Sequence, residues 1–202
     1  GVAGEGTTSA HATVAPSPAP AGHPPPEGEG RVADTLRTAA SRLQAALHLD
    51  HREARLEARI LVAHALGVDR AWLIAHDRDA LAAHQAAAIE ALIARREGGE
   101  PVAHILGIKE FYGRPFQVTP DVLIPRPETE LLVEAALARL PKEQPVHVLD
   151  LGTGSGCVAV TLALERPLAH ITAVDVSTAA LAVARDNARR LGAASVEFIR
   201  GD

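Results

Sequence analysis

Val146-His147-Val148-Leu149-Asp150-Leu151-Gly152-Thr153-Gly154-Ser155-Gly156 carries an apolar run straight into a glycine repeat, and its reading decides the fold. Val146 to Asp150 has the length and branched apolar content of a buried strand. Glycine at every second position then lets the backbone turn tightly and admits a ligand where any Cβ would collide. Cys157 to Leu164 follows as a helix whose N-terminus offers free N–H groups and the positive end of its dipole. Ile171 to Val174 reads as a second strand. Ser177 caps a helix with Leu181, Ala184, Ala188 and Leu191 on one face, closed by Gly192. Val196 to Ile199 reads as a third strand. Strands alternating with helices across short loops predict an α/β parallel sheet with right-handed crossovers.

Asp175 ends the second strand, nineteen residues after Gly156. A carboxylate there can accept hydrogen bonds from both hydroxyls of a ribose. Dinucleotide-binding proteins usually space their glycines G-x-G-x-x-G, and here the third glycine comes one residue early, which disfavours a nicotinamide oxidoreductase. There is no phosphate-clamping Lys after the loop, so it is not a P-loop. The loop and its spaced acid predict an adenosine-containing ligand at the C-terminal edge of the sheet.

Working outward, residues 102–124 hold Val102, Ile105, Phe111, Tyr112, Phe116, Val118, Val122, Leu123 and Ile124, interrupted by Gly113-Arg114-Pro115. This predicts a β-hairpin linker over residues 101–125. In Ile124-Pro125-Arg126-Pro127-Glu128-Thr129-Glu130 two prolines fix an extended entry, with Pro127 at a helix start and Glu128 and Glu130 in its first turn. Residues 31–100 are helical in pattern. Asp34 is placed to cap a first helix bearing Leu36, Ala39, Ala40, Leu43 and Leu47. Leu56, Ile60 and Ala63, widened by Leu61 and Ala65, form the stripe of a second, which ends at Gly67. A short segment holds Trp72, Leu73 and Ile74. Asp79 opens a long helix with Ile89, Leu92 and Ile93 that stops at Gly98-Gly99. Residues 1–30 hold six prolines and six glycines without Lys, Arg, Leu, Ile or an aromatic residue, and read as a disordered tail.

The 202 residues carry a net charge of −5, of which Glu5, Glu27 and Glu29 supply three charges. That near-balance argues against direct nucleic-acid binding, which leaves a basic domain. One cysteine excludes a disulfide framework and fits a cytoplasmic location. No apolar stretch is long enough for a membrane span, and neither a secretory nor a transit segment is evident.

The loop, Asp150, Asp175 and the closing Ile199-Arg200-Gly201-Asp202 together resemble class I S-adenosylmethionine methyltransferases. Gly99-Glu100-Pro101-Val102-Ala103-His104-Ile105-Leu106-Gly107, Glu110-Phe111-Tyr112-Gly113 and the Pro-Arg-Pro-Glu-Thr-Glu run narrow the likeness. Over residues 31–202 the chain resembles the HemK-type peptide chain release factor glutamine methyltransferases. The resemblance implies a helical substrate-recognition domain (31–100), the hairpin linker, and residues 126–202 as the first half of a Rossmann-like methyltransferase domain. It implies S-adenosylmethionine as cofactor, bound by Asp150, Gly152, Thr153, Gly154, Ser155, Gly156, Asp175 and Asp202. In that assignment Asp150 lies near the amino end of the methionine moiety and Asp202 faces the adenine. The implied reaction methylates the side-chain amide of the glutamine in the Gly-Gly-Gln loop of a release factor, by a monomer in the cytoplasm. Ribosomal-protein glutamine methylation and a non-catalytic binding role remain alternatives. The family orients its amide with an Asn-Pro-Pro-Tyr motif after a fourth strand. Here the sole Asn is Asn187 and no proline follows Pro167. No catalytic residue is therefore assigned, and the expectation is a C-terminally truncated chain, inactive alone, weak in cofactor binding, with an unpaired apolar edge along Val146 to Leu151.

Other candidates have simpler readings. The ten histidines are scattered without metal-ligand spacing, so no metal is expected. Cys157, though at a helix start, reads as a small packing residue. Trp72 reads as a core anchor, and Arg52, Arg55 and Arg59 as a solvated face.

Overall fold

The structure, a computed structural model, describes residues 30–202. The tail expected over residues 1–30 lies outside the described residues, apart from Gly30. Five helices come first: α1 (Val32–Leu47), α2 (His51–Leu66), α3 (Arg70–Ala75), α4 (Ala83–Glu97) and α5 (Val102–Leu106). They enclose a core centred on Val32, Leu43, Leu61, Val62, Leu73, Ile89, Ile93 and Ile105. Arg42 on α1 joins it to α4 through Glu90 and Glu97, with N–O distances of 2.6–2.8 Å.

Three features of this bundle correct the sequence reading. Asp34 does not cap α1, and Asp79 does not open α4. Instead Val32 N–H donates to Asp79 O at 3.0 Å and Ala33 N–H to Asp77 O at 2.8 Å. Backbone carbonyls of the α3–α4 connection thus satisfy the first donors of α1, which a capping side chain would otherwise have to reach. Helix α2 buries Ala54, Ala58, Leu61 and Val62. Leu56 and Ile60 are 56% and 36% exposed, because packing against α1 and α4 selects the neighbouring stripe of small residues. Finally, Val102–Leu106 is helical, with Ile105 in the bundle core.

The hairpin is shorter than 101–125. Strands β1 (Ile108–Phe111) and β2 (Arg114–Gln117) pair antiparallel, Phe111 opposite Arg114. The turn is Tyr112-Gly113 with φ of +51° and +71°, the conformation of a two-residue hairpin turn, and Arg114 and Pro115 lie in the strand. Phe111 and Phe116 meet edge to face at 6.0 Å and belong to the core of the sheet domain. The boundary between the two cores therefore falls at Gly107, which ends α5 at φ +70°.

Helix α6 (Thr129–Leu137) follows the Pro-Arg-Pro segment. Glu130, one residue inside it, reaches back to accept the Tyr112 N–H at 2.9 Å and so holds the strained hairpin turn. Then come β3 (Val146–Leu151), α7 (Cys157–Glu165), β4 (Ala169–Asp175), α8 (Thr178–Leu191) and β5 (Glu197–Arg200). The three strands form a parallel sheet in the order β3-β4-β5, as the alternation predicts. Helix α7 is apolar nearly all round, and it is buried between the sheet, α6 and the hairpin. Arg166, buried just beyond it, donates to Leu137 O at 2.7 Å and Leu140 O at 3.2 Å, satisfying the end of α6. One face of the sheet is covered by α7 and α8. On the other, His147, Leu149 and Leu151 of β3 are exposed, and β3 has a single strand neighbour among the described residues.

Candidate functional site

The site is built where β3 and β4 end. Gly152, Gly154 and Gly156 all have positive φ, at +72°, +55° and +79°, so each glycine occupies a conformation that side chains disfavour. Gly152 and Thr153 both donate their N–H to Val174 O, at 2.9 and 3.0 Å, which ties the loop to the adjoining strand. Gly156 N–H donates to Thr153 O at 2.8 Å and closes the turn into α7. A Cβ on Gly152 would meet no atom within 4 Å, and one on Gly154 only Gly152 O at 4.0 Å. Above these two glycines there is room for a ligand to approach the backbone.

Two carboxylates flank the loop. Asp150 Oδ2 accepts the Thr153 hydroxyl at 2.7 Å. Burial pushes the Asp150 carboxyl above its ordinary range, against the hydrogen bonds from Thr153 and Ala159, and repulsion from Asp175 adds to the upward shift. Asp175 accepts Gly154 N–H through Oδ2 and Ser177 N–H through Oδ1, both at 2.9 Å. Each oxygen keeps a lone pair, so the carboxylate is aimed and still able to accept hydroxyl groups. Ser177 caps α8 by accepting Ala180 N–H at 3.1 Å, as the sequence predicts. Asp202 is exposed just past β5. Gly201 N–H donates to Asp175 O at 3.2 Å and brings that end of the chain to the same sheet edge. The structure thus gathers Asp150, Gly152, Thr153, Gly154, Ser155, Gly156 and Asp175 around one loop, with Asp202 at its margin.

Cys157 is buried, and that burial raises its thiol to about 11. It packs in the sheet core, in line with the packing reading and against a reactive one. Among the described residues no three His, Cys, Asp or Glu side chains converge on a metal-sized site. His147 and His170 stack on the open face of the sheet at 5.0 Å, away from the loop. Trp72 is half-buried at the margin of the bundle core and stacks on His76 at 4.2 Å. Arg55 and Arg59 line two grooves of the bundle, beside His51 and Leu73 in both and beside Ile74 or Leu56 and Ile60.

Sequence reasoning missed Asn187. It lies in α8 with its side chain fully buried and bonded to both the hairpin and the loop. The available signal was an asparagine, a poor helix former, among alanines on the buried face.

Residues 34–107 match the model of the PrmC N-terminal domain, and residues 142–202 match that of a methyltransferase domain. A release factor glutamine methyltransferase of Bordetella pertussis is 57% identical over 148 residues, covering 73% of this chain and 54% of the relative. One from Cereibacter sphaeroides is 54% identical over 165 residues, covering 82% and 57%. The chain spans about half the length of the curated relatives it matches. A solved SAM-dependent methyltransferase from Geobacter sulfurreducens, in complex with S-adenosyl-L-homocysteine, is 40% identical over 38% of this chain and 30% of that one. The TM-score of that likeness is 0.32. No helix among the described residues is long and apolar enough to cross a membrane.

Proposed function

Because the chain belongs to the release factor glutamine methyltransferase family, we propose that the protein transfers a methyl group from S-adenosylmethionine to the side-chain amide nitrogen of a release-factor glutamine. The observation that carries this reading is the pairing of the open glycine loop with Asp175, whose carboxylate is fixed by Gly154 N–H and Ser177 N–H. In the proposed complex Asp175 accepts the ribose hydroxyls. Gly152 to Gly156 give backbone room beside the nucleoside, and Asp150 faces the amino end of the methionine part. Asp202 lies beside the adenine. When bound, S-adenosylmethionine supplies an electrophilic methyl on a sulfonium.

The arginine-lined grooves of the helical domain offer an exposed, mixed apolar and basic surface for the protein substrate. The reading places the protein in the cytoplasm as a monomer, without direct nucleic-acid contact. Incubating the intact protein with a release factor and methyl-labelled S-adenosylmethionine tests it. Label on the Gly-Gly-Gln glutamine is expected, and label absent from that residue refutes the reading.

A further inference from the structure

Asn187 is the single asparagine of the chain, and its side chain has 0% exposure. Its Nδ2 donates to Gln117 O and to Ser155 O, both at 2.9 Å, and its Oδ1 accepts Gln117 N–H at 2.7 Å. All the hydrogen-bonding atoms of the amide are engaged. Burying an amide is costly unless it is paired, and a leucine of similar size would fill the same space without that demand. The retained amide therefore serves geometry.

The two residues it holds lie 38 positions apart in sequence and belong to different parts of the domain. Gln117 ends β2. From there the chain runs through Val118 and Val122, which pack on Ala180 and Val183 of α8, toward Ile124-Pro125-Arg126-Pro127. Ser155 sits between the two last glycines of the loop. Its carbonyl belongs to the peptide whose N–H, on Gly156, closes the turn on Thr153 O. Fixing that carbonyl orients the Ser155–Gly156 peptide plane and with it the Gly156 N–H that closes the loop into α7.

We propose that Asn187 is a positioning residue for the cofactor loop, clamping the Ser155 carbonyl to the end of the hairpin so that loop and hairpin hold one geometry. The proposal rests on the reading of this loop as the S-adenosylmethionine site. Asn187→Leu removes all three bonds, while Asn187→Asp keeps the acceptor for Gln117 N–H and loses both donors. Val160→Ala, a fully buried change on α7 outside the loop, is the control for stability alone.

Two measurements on the intact protein decide the matter: amide hydrogen exchange at residues 154–157, and S-adenosylmethionine affinity by calorimetry. Both Asn187 variants are expected to exchange at least tenfold faster there and to bind at least tenfold more weakly. Val160→Ala is expected to change neither. Exchange and affinity in the Asn187 variants equal to the control would overturn the proposal. If Asn187→Leu does not fold, Asn187→Asp alone carries the comparison. If the unaltered protein binds no S-adenosylmethionine, the functional reading falls, and the exchange comparison still decides the role of Asn187.

Discussion

Ala184 stands directly against Gly156: a Cβ built on that glycine would meet the Ala184 Cβ at 3.0 Å and its Cα at 3.3 Å. Helix α8 therefore abuts the last turn of the loop with no space for a side chain. Gly156 also has φ +79°, which costs an alanine about 1–2 kcal/mol. Overpacking against a helix backbone adds about 1–3 kcal/mol. Gly156→Ala is expected to lose about 3 kcal/mol in urea unfolding. Gly152→Ala, at φ +72° but facing open space, is expected to lose about 1 kcal/mol. Equal losses at the two positions would show that contact with α8 contributes nothing.

The half-buried Asp150 gives the protein a pH dependence of unusual sign. Its carboxyl titrates above the ordinary value, so the folded state holds the proton more tightly than the unfolded chain. Stability then falls as pH rises from the unfolded value, about 4, through the raised folded value, and the penalty is absent below both. Asn at this position keeps an acceptor for the Thr153 hydroxyl and carries no charge. Asp150→Asn is expected to match the unaltered protein at pH 3 and to exceed its thermal stability at pH 7, while losing S-adenosylmethionine binding. A stability difference that stays constant between pH 3 and 7 would contradict this account.

Cys157 is expected to resist alkylation. With the thiol raised to about 11, roughly one molecule in a thousand carries a thiolate at pH 8, and burial blocks access as well. Iodoacetamide at pH 8 should leave the native protein unmodified in mass spectrometry over a time that labels the urea-unfolded chain completely. Comparable labelling rates in both states would place Cys157 in an open environment.

The uncovered face of β3 bears on association between copies. Leu149 and Leu151 are 60% and 69% exposed beside a strand edge with no partner among the described residues. Apolar side chains next to unpaired backbone groups favour association between copies. The 202-residue polypeptide on its own is expected to self-associate as its concentration rises. Leu149→Lys with Leu151→Lys should shift light scattering toward the monomer. A monodisperse chain with a cooperative melt before any substitution would contradict the expectation.

Much of the sheet domain was legible in the sequence because its signals are local. An apolar run, glycines two apart, Ser177 before a helix and Asp175 at a strand end each act through neighbours within a few residues, and the structure places them as read. The bundle was less legible. Helix α2 has apolar residues on two adjacent stripes, and periodicity reports both without saying which one meets α1 and α4. The hairpin was read too long for a similar reason: Val102 and Ile105 are β-branched and apolar, yet they satisfy a helix turn that seats Ile105 in the bundle.

By itself, then, the sequence determined the order of elements in the sheet domain, the glycine loop and the acid spaced to serve it, since these depend on backbone freedom and short-range hydrogen bonding. Tertiary structure alone decided which face of α2 is buried, that Asp77 and Asp79 supply carbonyls to α1, and that Asn187 joins Gln117 to Ser155. Those outcomes are settled by groups far apart in the chain, whose hydrogen-bonding needs and surfaces find one another only after the elements have packed.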